Sequence, residues 1–168
     1  MNGYRGLHFE DPNVTPPGHG DPASQRILVV DDDIGMRRLS TLALSQRGYS
    51  VEAAEDGAIA WAALNGGNYD MMITDNNMPK VTGVELLRKL RAARMALPVI
   101  MVTGAPPEFE FSQSPWLLPD ATLLKPFSVE ELLEKVEFVF RANAVVPMRS
   151  AAPGLGSPAG AVEPNNLF

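Results

Sequence analysis

Three consecutive aspartates, Asp31, Asp32 and Asp33, follow the apolar run Ile27-Leu28-Val29-Val30, and another aspartate, Asp75, closes a second run from Met71 to Thr74. Two further runs end in polar groups of other kinds: Val99 to Val102 leads into Thr103, and Thr122-Leu123-Leu124 into Lys125. Carboxylates brought together raise one another's pKa and resist ionising at once. A divalent cation relieves that conflict. Oxygen-only donors suit Mg²⁺, or Mn²⁺, which keeps several waters and takes phosphate oxygens as further ligands. A hydroxyl and an ammonium beside such a cluster complement a phosphoryl group, whose transfer needs positioning and charge neutralisation more than covalent assistance. Taken singly, each residue has a structural explanation, since acids after a strand cap the next helix and an aspartate can close a strand before a turn. No packing rule calls for a carboxylate, a hydroxyl and an ammonium at four strand ends together.

For these residues to meet, the segments carrying them must be neighbouring strands. The sequence between Arg26 and Ala142 alternates short apolar runs with amphipathic stretches. Ile27 to Val30 reads as a strand buried on both faces. A helix begins near Met36, with Leu39, Leu42 and Ala43 at helical spacing and Gly48 as a left-handed stop. Ser50 to Ala54 is a second strand, Asp56 to Leu64 a helix, Gly66-Gly67 a break, and Met71 to Thr74 the third strand. Beyond Pro79, Val84, Leu87 and Leu90 share a helix face, and Pro98 opens the strand Val99 to Val102. Thr122 to Leu124 is the fifth strand. Ser128 and Glu131 form a capping box before Leu132, Leu133, Val136 and Phe140. Five strands alternating with helices predict an α/β fold, a doubly wound five-stranded parallel sheet with helices on both faces. In such sheets ligands collect beyond the carboxyl ends of the strands, where Asp31, Asp32, Asp75, Thr103 and Lys125 all fall.

The remaining composition narrows the function. The 168 residues suffice for one core, expected over residues 25–142, with Pro-, Gly- and Ala-rich tails over 1–24 and 143–168 expected to be disordered. The net charge of −6 repels a nucleic-acid backbone. No cysteine is present, which rules out thiolate metal sites and disulfides and suits the cytoplasm. His8 and His19 lie in the amino-terminal tail, away from the acidic residues in sequence. Neither a secretory signal nor an apolar run of about 20 residues is found, so no membrane association is expected.

The motifs resemble those of the CheY-like receiver domains of response regulators. The resemblance rests on Ile27 to Asp32, on Asp75-Asn76-Asn77-Met78-Pro79 with Gly83, on Val102-Thr103-Gly104 and on Leu124-Lys125-Pro126-Phe127. It implies that Asp75 is the phosphoacceptor, that Asp32 and the Asn77 backbone carbonyl bind Mg²⁺ directly with Asp31 acting through water, and that Thr103 and Lys125 hold the phosphoryl. It also implies a cis Lys125-Pro126 bond, and a sensor histidine kinase or histidine phosphotransfer protein as donor. Gly104 leaves room for that donor. The nonpolar Ala105 predicts slower self-dephosphorylation than in an Ala105→Glu variant.

Two features depart from the family pattern. Thr122 stands where receivers commonly carry the aromatic ring that moves with Thr103, which leaves the usual readout open. Pro106, Pro107, Pro115 and Pro119 crowd the fourth helix, which is therefore expected to be short or irregular. Its apolar residues Phe109, Phe111, Trp116 and Leu117 fit either core packing or a partner surface that orders on phosphorylation. The carboxyl-terminal tail lacks the core residues of an effector, so output is expected through an unknown downstream protein, to which the closing Asn165-Asn166-Leu167-Phe168 could add a docking peptide. Two other functions fit parts of the pattern. One is a haloacid-dehalogenase-like phosphohydrolase built on Asp31 and Asp33, although Gly35 and the lack of acids after Lys125 fit it less well. The other is a pseudo-receiver that binds partners without phosphorylation.

Overall fold

The computed structural model describes residues 24–144; both predicted tails, with His8, His19 and the closing Asn165 to Phe168, lie outside them apart from Ser24, Asn143 and Ala144. The elements run β1 (Arg26–Val30), α1 (Ile34–Gln46), β2 (Ser50–Ala54), α2 (Gly57–Gly66), β3 (Met71–Asp75), α3 (Gly83–Ala92), β4 (Val99–Thr103), α4 (Glu108–Gln113), β5 (Ala121–Leu124) and α5 (Val129–Ala144). All strand pairs are parallel and the spatial order is β2-β1-β3-β4-β5. The predicted doubly wound sheet is therefore what the chain forms.

The two-residue period of a strand divides the core in two. Leu28 and Val30 of β1, with Met72, Val99 and Met101, face one side and pack with α2, α3 and Leu117. Ile27 and Val29, with Met71, Ile73, Ile100 and Val102, face the other and meet Leu44 of α1 and Leu132, Val136 and Val139 of α5. Strands covered on both faces have no polar side to offer, which is why these runs are continuously apolar.

Helix α3 buries Val84, Leu87 and Leu90 as predicted, with Leu86 beside them. Gly48 adopts φ 102, the left-handed stop expected after α1. Helix α1 forms as predicted, starting two residues earlier at Ile34. Its buried residues are Ser40, Ala43 and Leu44, while Leu39 and Leu42 are exposed. In α5 the buried face is Leu132, Val136 and Val139; Leu133 and Phe140 are only partly covered, Phe140 stacking on Tyr49 at 5.6 Å. Helix α4 is short as predicted, six residues followed by a 3-10 turn at Pro115–Leu117. Of its apolar residues, Leu117 is buried and Phe111 packs against the core, but Phe109 and Trp116 are exposed. The core-packing reading of that segment thus holds for Leu117 and Phe111.

Candidate functional site

The sheet register delivers the polar strand ends to one edge. Val30 pairs with Thr74, so Asp31, the next residue, stands beside Asp75. Asp75 pairs with Val102 and Thr103 with Leu124, which sets Thr103 and then Lys125 successively one step further along. This edge lies at the reversal of strand order between β1 and β3, where open α/β sheets bind ligands.

The three consecutive aspartates have separate tasks. Asp33 caps α1, its Oδ1 accepting from the Met36 backbone N–H at 2.8 Å. Its own N–H donates to Asp31 Oδ1 at 2.8 Å, which fixes the Asp31 carboxylate. Asp31 and Asp32 are left to the site. Arg37 supports them from one turn into α1, donating to the Asp31 carbonyl at 2.6 Å and the Asp32 carbonyl at 3.3 Å. Carboxylate oxygens of Asp31, Asp32 and Asp75 lie within 4.8 Å of one another, with Asp31 and Asp75 buried and Asp32 exposed. Lys125 Nζ reaches Asp75 Oδ2 at 3.2 Å and Asp31 Oδ2 at 3.4 Å.

Thr103 is buried beside this group, and its Oγ1 donates to the Ala105 carbonyl at 2.8 Å. A side chain added at Gly104 would meet no atom within 4 Å, so the space next to Thr103 is open. The Lys125-Pro126 bond is cis. Asn77 is exposed in the loop between β3 and α3, and Thr122 sits half-buried on β5 opposite Met101.

The sequence model of the response regulator receiver domain matches residues 27–137. The chain belongs to the response regulator receiver family. It is 38% identical over 118 residues to the chemotaxis protein CheY of Pseudomonas aeruginosa, covering 68% of this chain and 95% of that protein. It is 37% identical over 119 residues to the response regulator MprA of a Mycobacterium species (strain KMS), of which it spans about half, 52%, against 71% of this chain. Among solved structures, CheY4 of Vibrio cholerae superposes with a TM-score of 0.62 at 32% identity, covering 68% of this chain and 98% of that one. The response regulator TrrA of Thermotoga maritima, solved in complex with Mg²⁺-BeF, does so at 0.61 and 34%, covering 68% and 98%.

In this receiver the acidic edge is electrostatically incomplete. Burial is the main cause that raises the pKa of Asp31; the Asp33 N–H and Lys125 oppose it, and the neighbouring Asp75 charge adds to it. Burial alone would lower the pKa of Lys125, but Asp31 and Asp75 outweigh it and hold the ammonium protonated. One ammonium against three carboxylates leaves room for a divalent cation, and an all-oxygen donor set of this kind fits Mg²⁺.

Four supporting residues were not singled out from the sequence. Arg37 left a weak signal, a basic residue shortly after the acids. Thr82 and Glu85 left a plain one, a capping box for α3 in which Thr82 Oγ1 accepts from the Glu85 N–H at 3.2 Å and Glu85 Oε2 from the Thr82 N–H at 2.8 Å. Asn76 left none, although its Oδ1 accepts from the Val84 N–H at 3.2 Å and ties the loop after β3 to α3.

Proposed function

We propose that this receiver takes a phosphoryl group from a phosphohistidine on a sensor histidine kinase or histidine phosphotransfer protein onto Asp75. It then signals in the cytoplasm through a downstream protein, as a single-domain regulator without direct contact to nucleic acid or membrane. The observation that carries this reading is the contact of one ammonium, Lys125 Nζ, with two buried carboxylates, Asp75 and Asp31, at the edge of a three-carboxylate cluster.

A carboxylate oxygen of Asp75 attacks phosphorus, the bond from phosphorus to the donor imidazole breaks, and the imidazole leaves with the electron pair. Asp32, Asp75 and the Asn77 backbone carbonyl would hold Mg²⁺, with Asp31 supporting it through water. When bound, the ion neutralises charge on the nucleophile and the incoming phosphoryl oxygens, which otherwise repel. Lys125 pairs with a phosphoryl oxygen, for which it must exchange part of its contact with Asp75. The Thr103 hydroxyl turns from the Ala105 carbonyl to the phosphoryl. The Mg²⁺-BeF complex of TrrA supports Mg²⁺ as the ion. The commitment of Asp33 to the α1 cap counts against the phosphohydrolase reading, which needs that carboxylate free.

Incubation with a small phosphodonor and Mg²⁺ should give one phosphoryl group per chain, on Asp75; continuous turnover with label on Asp31 would overturn the assignment. Because Thr122 has no ring to move, the readout falls to the segment from Pro106 to Pro119. Its hydrogen exchange should slow on phosphorylation, and unchanged exchange would remove that segment from the switch.

A further inference from the structure

The loop between β3 and α3 contains a strained residue whose side chain crosses to another element. Lys80 is at φ 68, in the left-handed region that a residue with a Cβ adopts only at a cost in energy. Its Nζ meets Asp56 Oδ2 at 2.6 Å. Exposed ion pairs contribute little as a rule, but the Asp56 side chain is nearly buried, 6% exposed. Its other oxygen is held by the N–H groups of Ala58 and Ile59 at 2.9 and 2.8 Å. The anchor is therefore rigid before Lys80 reaches it. Beside the ion pair, a Cβ on Gly57 would come within 2.8 Å of Val81, so the loop and the start of α2 are in close apposition.

This contact matters because of where it lies. In the strand order β2-β1-β3, the connections after β2 and after β3 flank the end of β1, where Asp31 and Asp32 stand. Helix α1 leaves that end toward the opposite face of the sheet from α2 and α3. An ion pair between Asp56 and Lys80 thus joins the two connections on the α2 and α3 side of the acidic edge. The stretch it restrains includes Asn77. Within that stretch the Asn76 carbonyl accepts from Met78 and Gly83, and the Pro79 carbonyl accepts from Val81.

We propose that Lys80 and Asp56 are positioning residues, a clasp that holds the loop so that the Asn77 backbone carbonyl is set for the metal. This rests on the reading of Asn77 as a metal ligand given above. The backbone strain at Lys80 is then offset by a fixed loop geometry, as strained residues near functional sites commonly are.

Electrostatics and positioning predict opposite signs, which makes the idea testable. Removing a cation near an acidic cluster should tighten Mg²⁺ binding through simple Coulomb attraction. Removing a clasp should weaken it. The test is calorimetric Mg²⁺ titration of the full chain, without phosphodonor, for the parent, Lys80→Gly and Lys80→Arg, with melting temperatures measured alongside. Glycine accepts φ 68 without strain, which offsets the lost ion pair, so Lys80→Gly should fold with a melting temperature close to the parent's. Its Mg²⁺ affinity should fall roughly tenfold, the low end for residues that orient metal ligands, whereas Lys80→Arg keeps the pair and should stay near the parent. Equal or tighter binding by Lys80→Gly would overturn the clasp and leave the metal site standing. Absence of Mg²⁺ binding by the parent would overturn both.

Discussion

Strands β3 and β4 are hydrogen-bonded neighbours that end at the same edge, yet the connections that leave them are built in opposite ways. After β3, the Thr82 and Glu85 side chains cap α3 reciprocally, Asn76 ties the loop to the helix, and Lys80 binds Asp56; α3 then buries Gly83, Val84, Leu86, Leu87 and Leu90. After β4, α4 follows Pro107 with no side-chain cap and buries none of its own residues. Its segment is fixed chiefly by Leu117 in the following turn and by Phe111 at the core margin. The difference separates two jobs. Under the proposed function, the geometry assigned to an ion and a nucleophile is over-determined, and the surface proposed to change with phosphorylation is attached at few points, as mobile functional segments are drawn from the less stable parts of a fold.

The largest effect expected within this contrast is at the fully buried anchor of the loose side, Leu117. Leu117→Ala should cost about 2–5 kcal/mol by cavity formation, whereas Phe109→Ala, 75% exposed, should change stability by no more than about 0.5 kcal/mol. Urea unfolding measures both, and similar losses for the two would mean that the segment is held along its whole length.

Glycines on the two sides give the next test. A Cβ at Gly83 would stand 2.5 Å from the Asp75 carbonyl oxygen, whereas one at Gly104 meets nothing within 4 Å. Gly83→Ala should therefore destabilise by about 1–3 kcal/mol through overpacking and displace Asp75, while Gly104→Ala should stay within about 0.5 kcal/mol. Thermal melts separate them, and a neutral Gly83→Ala would show that the tight side can yield.

A smaller effect concerns acid. Hydrogen bonding from Lys80, then from the Ile59 N–H, holds the Asp56 carboxyl below its ordinary pKa of 3.8. A depressed carboxyl contributes stability above its unfolded value that is lost as pH falls through the folded value. Part of the parent's loss of stability on acidification below about pH 4 should thus be smaller in Lys80→Gly, as read by urea melts at pH 5 and pH 3. Parallel losses in the two proteins would argue that the pair is not formed in solution.

The sequence made most of the frame legible because its signals were local. Continuous apolar runs marked the buried strands, Val84, Leu87 and Leu90 marked the inner face of α3, and the spacing of Ser128 and Glu131 marked a capping box that both bonds complete at 2.7 and 3.1 Å. The buried face of α1 was not legible, because Ile34, Leu39, Leu42 and Leu44 lie around its circumference and apolar spacing alone selects no face; packing chose the one bearing small Ser40 and Ala43. At the site, residue type and strand position were enough to bring Asp31, Asp32, Asp75, Thr103 and Lys125 to one edge. The pairing of Lys80 with Asp56 was not legible. The two are 24 residues apart, on connections that only the strand order β2-β1-β3 brings near each other.

The most direct test of the central claim is intact-mass analysis after incubation with acetyl phosphate, with and without Mg²⁺, for the parent and Asp75→Asn. One added phosphoryl group is expected on the parent only when Mg²⁺ is present, and none on Asp75→Asn in either condition. Equal phosphorylation of Asp75→Asn, or of the parent without any divalent ion, would contradict it.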